Sequence, residues 1–330
     1  MNNWVFLFLA VLAAVLVLGG LVAATRYRRW LGQCERRLEG GSKIMNTPGG
    51  PIEYAIWGTG GPVILCVHGT PGGYDQGRLL GEAAAAQGFW LISVSRPGYL
   101  RTPLALGRRP EEQADALAAL LDGLGIHRAA LVGLSGGGPA ALQFALRHPD
   151  RCTSLVAVSA VNRQRPPSRK RFTGWLLASR FFTSNFGGWL IGSAIQLRPA
   201  VLPEAIVPDA SIRASVLADP RRYAALAEIA QAAIQLPARR RTGMRNDDEQ
   251  FANLPAYPFE TMRVPTLIIH GTADENIPFA SAQMMAQTVP GAELYPIAGG
   301  THAAFMTHSD QVFTRLFDFV GAPGKGKITG

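Results

Sequence analysis

Apolar residues in this chain fall into two kinds of run. The first is one uninterrupted stretch from Trp4 to Ala24, WVFLFLAVLAAVLVLGGLVAA, which carries no charge. At a helical rise of about 1.5 Å per residue it covers roughly 30 Å of hydrocarbon. The second kind is short and alternates with segments of helical period. VILCV at 63–67 precedes a helix over 75–87, WLISV at 90–94 precedes a helix over 111–124, the run 129–134 precedes a helix over 137–147, and another run covers 154–159. Ahead of them, Ile52, Tyr54 and Ile56 against Glu53 and Trp57 predict a half-exposed strand, entered from a Gly-rich linker, EGGSKIMNTPGG, at 39–50. The alternation stops at Asn162 and resumes with VPTLIIH at 264–270, a helix over 279–288, a strand over 292–297 and a helix over 303–320. Strands joined by helices predict an α/β fold with a mostly parallel, doubly wound sheet covered on both faces. The domain plan is an apolar segment (1–25), a basic segment and linker (26–50), a core (51–161 and 259–320), an insertion (162–258) and a frayed tail (321–330).

Charge changes the picture at the N-terminus. Arg26, Arg28, Arg29, Arg36, Arg37 and Lys43 follow the apolar run and no Lys or Arg precedes it, which places the C-terminal bulk in the cytoplasm if the run spans a bilayer. A cleaved signal peptide is the rival, since Val22 and Ala24 make a small-residue site before Thr25. The uncharged start and the length of the run favour a single-pass anchor through residues 4–24. The net charge of +9 is uneven: residues 1–43 carry +4, residues 162–260 carry +6, and the rest is close to neutral. A nucleic-acid binder spreads such charge along a groove, so no nucleic-acid partner is expected. With 48% hydrophobic and 17% charged residues the chain is not a disordered one. Cys34, Cys66 and Cys152, odd in number and far apart, do not make a disulfide framework, and no His or Cys pair stands at metal-ligand spacing. No metal or other cofactor is expected, and oligomeric state leaves no signal.

The segment AALVGLSGGGPAALQFAL carries the chemistry. An apolar strand ends at Leu134, Ser135 follows between Gly133 and Gly137, and a helix begins at once. Such a strand-to-helix turn is too sharp for side chains at the flanking positions, and it leaves a strained serine with its hydroxyl exposed. Glycines at the helix start also leave backbone N–H groups facing an incoming oxyanion. Gly133, Gly136 and Gly138 also fit a dinucleotide loop, but that reading needs an acid at the end of the next strand, where Ser159-Ala160-Val161-Asn162 supplies none.

VILCVHGTPGG at 63–73, SRPGY at 95–99 and the serine turn, taken in order with an insertion and two later glycine-framed loops, resemble the α/β-hydrolase superfamily over residues 51–320. The resemblance implies an α/β-hydrolase fold with an inserted helical cap. It also implies a Ser135-Asp274-His302 triad, with Asp274 in Gly271-Thr-Ala-Asp274 and His302 in Gly299-Gly-Thr-His302. Glu275 is an alternative acid, and Asp274 could serve only as a helix N-terminal charge. Oxyanion donors are implied at the amides of Thr70 and Gly136, because Pro71 has no N–H. His68 reads as a buried, hydrogen-bonded loop residue and His308 as a surface residue of the last helix.

The insertion opens with a basic run, Arg163, Arg165, Arg169, Lys170 and Arg171, which fits either anionic lipid or plain solvation. Phe172, Trp175, Phe181, Phe182, Phe186 and Trp189 follow at mixed helical spacing and are candidates for an apolar substrate pocket. A serine nucleophile implies ester or related acyl hydrolysis on a small-molecule substrate. Within enzymes the HGTPGG loop also resembles that of proline iminopeptidases, although the net charge of +6 over residues 162–260 suits a substrate ammonium poorly. A non-catalytic ligand-binding member of the fold is the alternative outside enzymes.

Overall fold

The computed structural model describes residues 3–165, 180–181, 183–207 and 209–321. The tail beyond 321 lies outside them. The first element is one long helix, α1 (Asn3–Gly40), which carries the apolar run and continues about three turns past Arg29. β1 (Lys43–Thr47) and β2 (Gly50–Trp57) form an antiparallel hairpin. The core then runs β3 (Val63–Val67), α2 (Arg78–Ala86), β4 (Trp90–Val94), α3 (Pro110–Gly123), β5 (Ala129–Leu134), α4 (Gly138–Arg147) and β6 (Cys152–Val158). The insertion contributes α5 (Asn185–Leu197), α6 (Val201–Ile206), α7 (Ala210–Ala218), α8 (Pro220–Ile234) and α9 (Arg241–Phe251). β7 (Thr266–Gly271), α10 (Phe279–Thr288), β8 (Glu293–Ile297), α11 (Ala304–Thr307) and α12 (Ser309–Gly321) complete the core.

The sheet order is β1-β2-β4-β3-β5-β6-β7-β8, antiparallel at β1-β2-β4 and parallel elsewhere. Each central strand alternates between two apolar layers because successive side chains point to opposite faces. Leu65 and Val67 join Leu131, Leu155 and Ile268 under α3, α4 and α10, while Ile64 and Cys66 join Val132, Val156 and Ile269 under α2 and α12. Register pairs Val67 with Gly133, Leu134 with Val158, Val158 with Ile269, and Gly271 with Ile297. The carboxyl ends of β3, β5, β7 and β8 therefore share one edge, the edge where open α/β sheets hold their ligands.

The expected linker at 39–50 is a correction. Its glycines and proline build the end of α1 and the β1–β2 reverse turn, and α1 does not hang free: Cys34 and Leu38 are buried with Ala55, Tyr74 and Leu236. The Tyr74 hydroxyl donates to the Leu38 carbonyl at 2.7 Å. β2 is also more buried than its alternation suggests. Glu53 is 1% exposed, accepting from Ser42 and Arg101 on one oxygen and from Ser95 on the other. The expected helix over 303–320 breaks at His308 into α11 and α12. His308 is half-buried against Thr307 rather than on the surface.

The packing of α1 makes a stability prediction. In a chain lacking residues 1–25, Leu38→Ala is expected to lower the unfolding free energy by about 3 kcal/mol in urea denaturation. A loss under about 0.5 kcal/mol, the range of an ordinary surface change, would show that the helix end is not docked.

Candidate active site

Ser135 leaves β5 with φ +45, a left-handed conformation that a non-glycine residue holds only when its surroundings enforce it. The enforcement comes from close approach. A Cβ on Gly133 would stand 2.8 Å from that of Ala141, and one on Gly137 would stand 2.6 Å from the His68 carbonyl oxygen. α4 is thereby pressed onto the strands, and the Ser135 hydroxyl projects above the sheet edge.

His302 and Asp274 meet because the loops after β7 and β8 are tied together. The Ala273 amide donates to the Gly300 carbonyl at 2.9 Å, and the Gly299 amide donates to the Thr272 hydroxyl at 2.8 Å. Ser135 Oγ lies 2.9 Å from His302 Nε2, and His302 Nδ1 lies 2.8 Å from Asp274 Oδ2. The other carboxylate oxygen, Oδ1, accepts the amides of Asn276 and Ile277 at 2.8 and 2.9 Å. His270 Nε2 lies 3.2 Å from Asp274 Oδ2. Burial alone would raise the Asp274 pKa, but hydrogen bonds from His270 and His302 hold it well below the usual carboxylate range. An ionised acceptor there assigns the proton of His302 to Nδ1 and leaves Nε2 bare to accept from Ser135. Glu275 is not the residue that His302 contacts. The serine hydroxyl faces an imidazole, which is not the setting of a phosphate loop.

The loop after β3 brings Thr70 against the same turn, where a Cβ on Gly136 would collide with the Thr70 hydroxyl. Gly69 is also close, since a side chain there would begin 3.1 Å from Ser135 Cβ. His68 is fully buried, its Nδ1 proton donated to the Gly69 carbonyl at 2.7 Å and its Nε2 accepting the Arg96 amide at 2.9 Å. Burial and the neighbouring Arg96 push its pKa well below the ordinary imidazole value, so it stays neutral and shapes the loop.

Five residues to which the sequence assigns no role, Asp75, Arg96, Tyr99, Arg240 and Asp247, hold this loop in place. Asp247 of α9 takes Arg96 in a two-pronged ion pair at 2.8 and 2.6 Å, and each side chain is 3% exposed. The hydroxyls of Tyr99 and Thr70 donate to the same Asp247 oxygen. Arg240, with no exposed surface, donates to the Gly72 carbonyl at 2.6 Å and pairs with Asp75 at 3.0 and 2.8 Å. No local signal marks these residues: the partners stand 151 and 165 positions apart, and NDDE in a helix reads as a solvated face. Phe251 was missed for the same reason; it closes over the turn, 3.2 Å from where a Gly136 side chain would begin.

Three of the six cap aromatics, Phe181, Phe186 and Trp189, are among the described residues. Phe172, Trp175 and Phe182, with Arg169, Lys170 and Arg171, fall outside the described residues. Phe186 and Trp189 pack edge-on against Tyr27 of α1, with ring centroids 5.6 and 5.8 Å away, and Phe181 packs on Phe186. They join cap to helix α1. Mixed helical spacing shows that rings are present but not which neighbour they meet.

Residues 62–309 match the family described as the alpha/beta hydrolase fold. The uncharacterized hydrolase YcgS of Bacillus subtilis is 33% identical over 116 residues, which is 35% of this chain and 40% of that one. The chain therefore spans less than half of that relative. A 2-hydroxy-6-oxononadienedioate/2-hydroxy-6-oxononatrienedioate hydrolase of Burkholderia vietnamiensis is 26% identical over 285 residues, covering 82% of this chain and 90% of that one. Among solved structures, an alpha/beta hydrolase fold protein from Nakamurella multipartita is 32% identical with a TM-score of 0.77, over 85% of this chain and 100% of that one.

Removing one partner of a buried ion pair strands the other charge. Asp247→Asn is therefore expected to lower stability by about 3 to 5 kcal/mol in urea denaturation. A change under about 1 kcal/mol, the worth of an exposed pair, would show that the Arg96 contact is incidental.

Proposed function

The chain belongs to the alpha/beta hydrolase family, and within that family we propose that it is a membrane-anchored serine hydrolase cleaving carboxylic esters, or related acyl compounds, of lipophilic small molecules. The observation that carries this reading is the unbroken relay from the Ser135 hydroxyl through His302 to Asp274, at 2.9 and 2.8 Å. Ser135 Oγ attacks the acyl carbon while His302 Nε2 takes its proton. Asp274 fixes the ring and stabilises the imidazolium. The amides of Thr70 and Gly136 donate to the oxyanion; that of Gly136 lies in the single tight turn, Ser135–Gly137, that leads into α4. His302 returns the proton to the departing alcohol, and water, activated by the same imidazole, releases the acid and restores Ser135.

The membrane part of the proposal rests on α1. Its apolar half is long enough to span, and its side chains there are exposed, among them Leu7, Phe8, Val15 and Leu18. Exposure of so many large apolar groups is costly in water and natural in hydrocarbon. A tethered site meets lipophilic acyl compounds at the bilayer surface. Relatives are named as hydrolases of 2-hydroxy-6-oxononadienedioate and of 2-hydroxymuconate semialdehyde, which are small acyl compounds of the kind proposed here.

With p-nitrophenyl butyrate, Ser135→Ala and His302→Ala are each expected to lower kcat about a thousandfold or more, and Asp274→Asn nearly as far. Wild-type binding of a substrate analogue should persist. More than about a tenth of the rate left in Ser135→Ala, a loss under about 1.4 kcal/mol, would refute the nucleophile. An arylamide of proline hydrolysed faster than the ester would instead favour the aminopeptidase alternative.

For topology, the intact chain is expected in the membrane fraction after alkaline carbonate washing, with Ser135 on the cytoplasmic side, and a chain lacking residues 1–25 is expected to be soluble and active. A mature N-terminus at Thr25 would show a cleaved signal peptide.

A further inference from the structure

A cavity of about 350 Å³ lies between α1 and the cap helices α5, α6 and α8, and none of its lining residues belongs to the site around Ser135. That volume is within the range of small-ligand sites. Its long direction follows α1, because Trp30, Cys34 and Arg37 line it at successive turns, a span of roughly 10 Å at the helical rise. The Trp30 end stands one turn beyond Tyr27, on the side of the apolar segment. Ile195, Leu202 and Ile234 supply apolar wall.

The Arg37 end is polar and, at Arg37 itself, open to solvent. The Arg37 guanidinium donates to Gln231 Oε1 at 3.0 Å and, among the described residues, forms no ion pair. The Gln235 amide donates to the same oxygen at 3.3 Å, which fixes the orientation of that amide. Among the described residues, Gln235 Oε1 is then a buried acceptor with no donor. Buried polar atoms are almost always paired, so an acceptor orphaned among the described residues calls for a donor from beyond them. Among the described residues no carboxylate lines the cavity, so the charge of the exposed Arg37 guanidinium stays available to a ligand.

We propose that this cavity binds a single-chain amphiphile whose head carries both an anion and a hydroxyl. The anion meets Arg37, the hydroxyl donates to Gln235 Oε1, and the chain lies along Ile195, Leu202 and Ile234 toward Trp30. A lysophospholipid and a hydroxylated fatty acid share this chemistry. The proposal rests on the membrane reading of α1 only for the source of the ligand.

The test uses the intact chain in dodecyl maltoside micelles, titrated with lauroyl lysophosphatidylglycerol or with beta-hydroxylaurate and read by native mass spectrometry. One ligand per chain is expected at saturation, and the tighter of the two amphiphiles identifies the source. Gly192→Leu fills the slot at little cost to the fold, since a Cβ there meets only Ile234 Cδ1 at 3.8 Å and leucine favours a helix over glycine. Gly192→Leu and Arg37→Gln are each expected to weaken binding about tenfold or more with ester turnover unchanged. No saturable binding of either amphiphile, or binding that both variants leave unchanged, would overturn the site. Release of the intact chain from membranes by alkaline carbonate would overturn the anchor and leave this binding result standing.

Discussion

Two buried arginine-aspartate pairs run between cap and core, and the geometry above the sheet depends on them. Arg96 and Asp247 join the turn after β4 to α9, while Arg240 and Asp75 join the start of α9 to the loop after β3. A buried ion pair persists only when its remaining hydrogen-bonding capacity is met. Here it is met by the carbonyls of His68, Gly72 and Gln235 and by the hydroxyls of Tyr99 and Thr70. Those same bonds fix the segment carrying Thr70 against Gly136. In the proposed reaction the Thr70 and Gly136 amides, held in place before a substrate arrives, would need no reorganisation when charge develops.

Exposure along the relay is graded. The Asp274 side chain is fully enclosed and that of His302 is 26% exposed. A carboxylate in that position is stabilised by two amides and two imidazoles rather than by water. Its charge therefore acts on His302 through little intervening solvent. Strain at Ser135 is held by the packing of α4 on the strands, so the chemistry and the core share the same glycines.

Local signals carried much of the fold and the candidate residues. Apolar runs of five to seven residues and their helical partners place the parallel strands within a residue or two, and glycine frames mark the turns where Ser135, Asp274 and His302 sit. Contacts across long stretches of chain had no such signal. α1 looked like a tether because its docking face, Trp30, Cys34 and Leu38, finds its partners only after folding. Glu53 looked exposed because Arg101 and Ser95 reach it from another turn. Aromatic residues of the cap were visible as aromatic, but their meeting with Tyr27 is tertiary.

The account stands on Ser135 being a nucleophile activated by His302, and a fluorophosphonate probe reads that state directly. Peptide mapping by mass spectrometry after brief labelling of the intact chain is expected to find the adduct on Ser135. The adduct should be lost in His302→Ala while circular dichroism stays that of the wild type. A folded wild-type chain that takes no label on Ser135, or takes it equally without His302, would contradict the account.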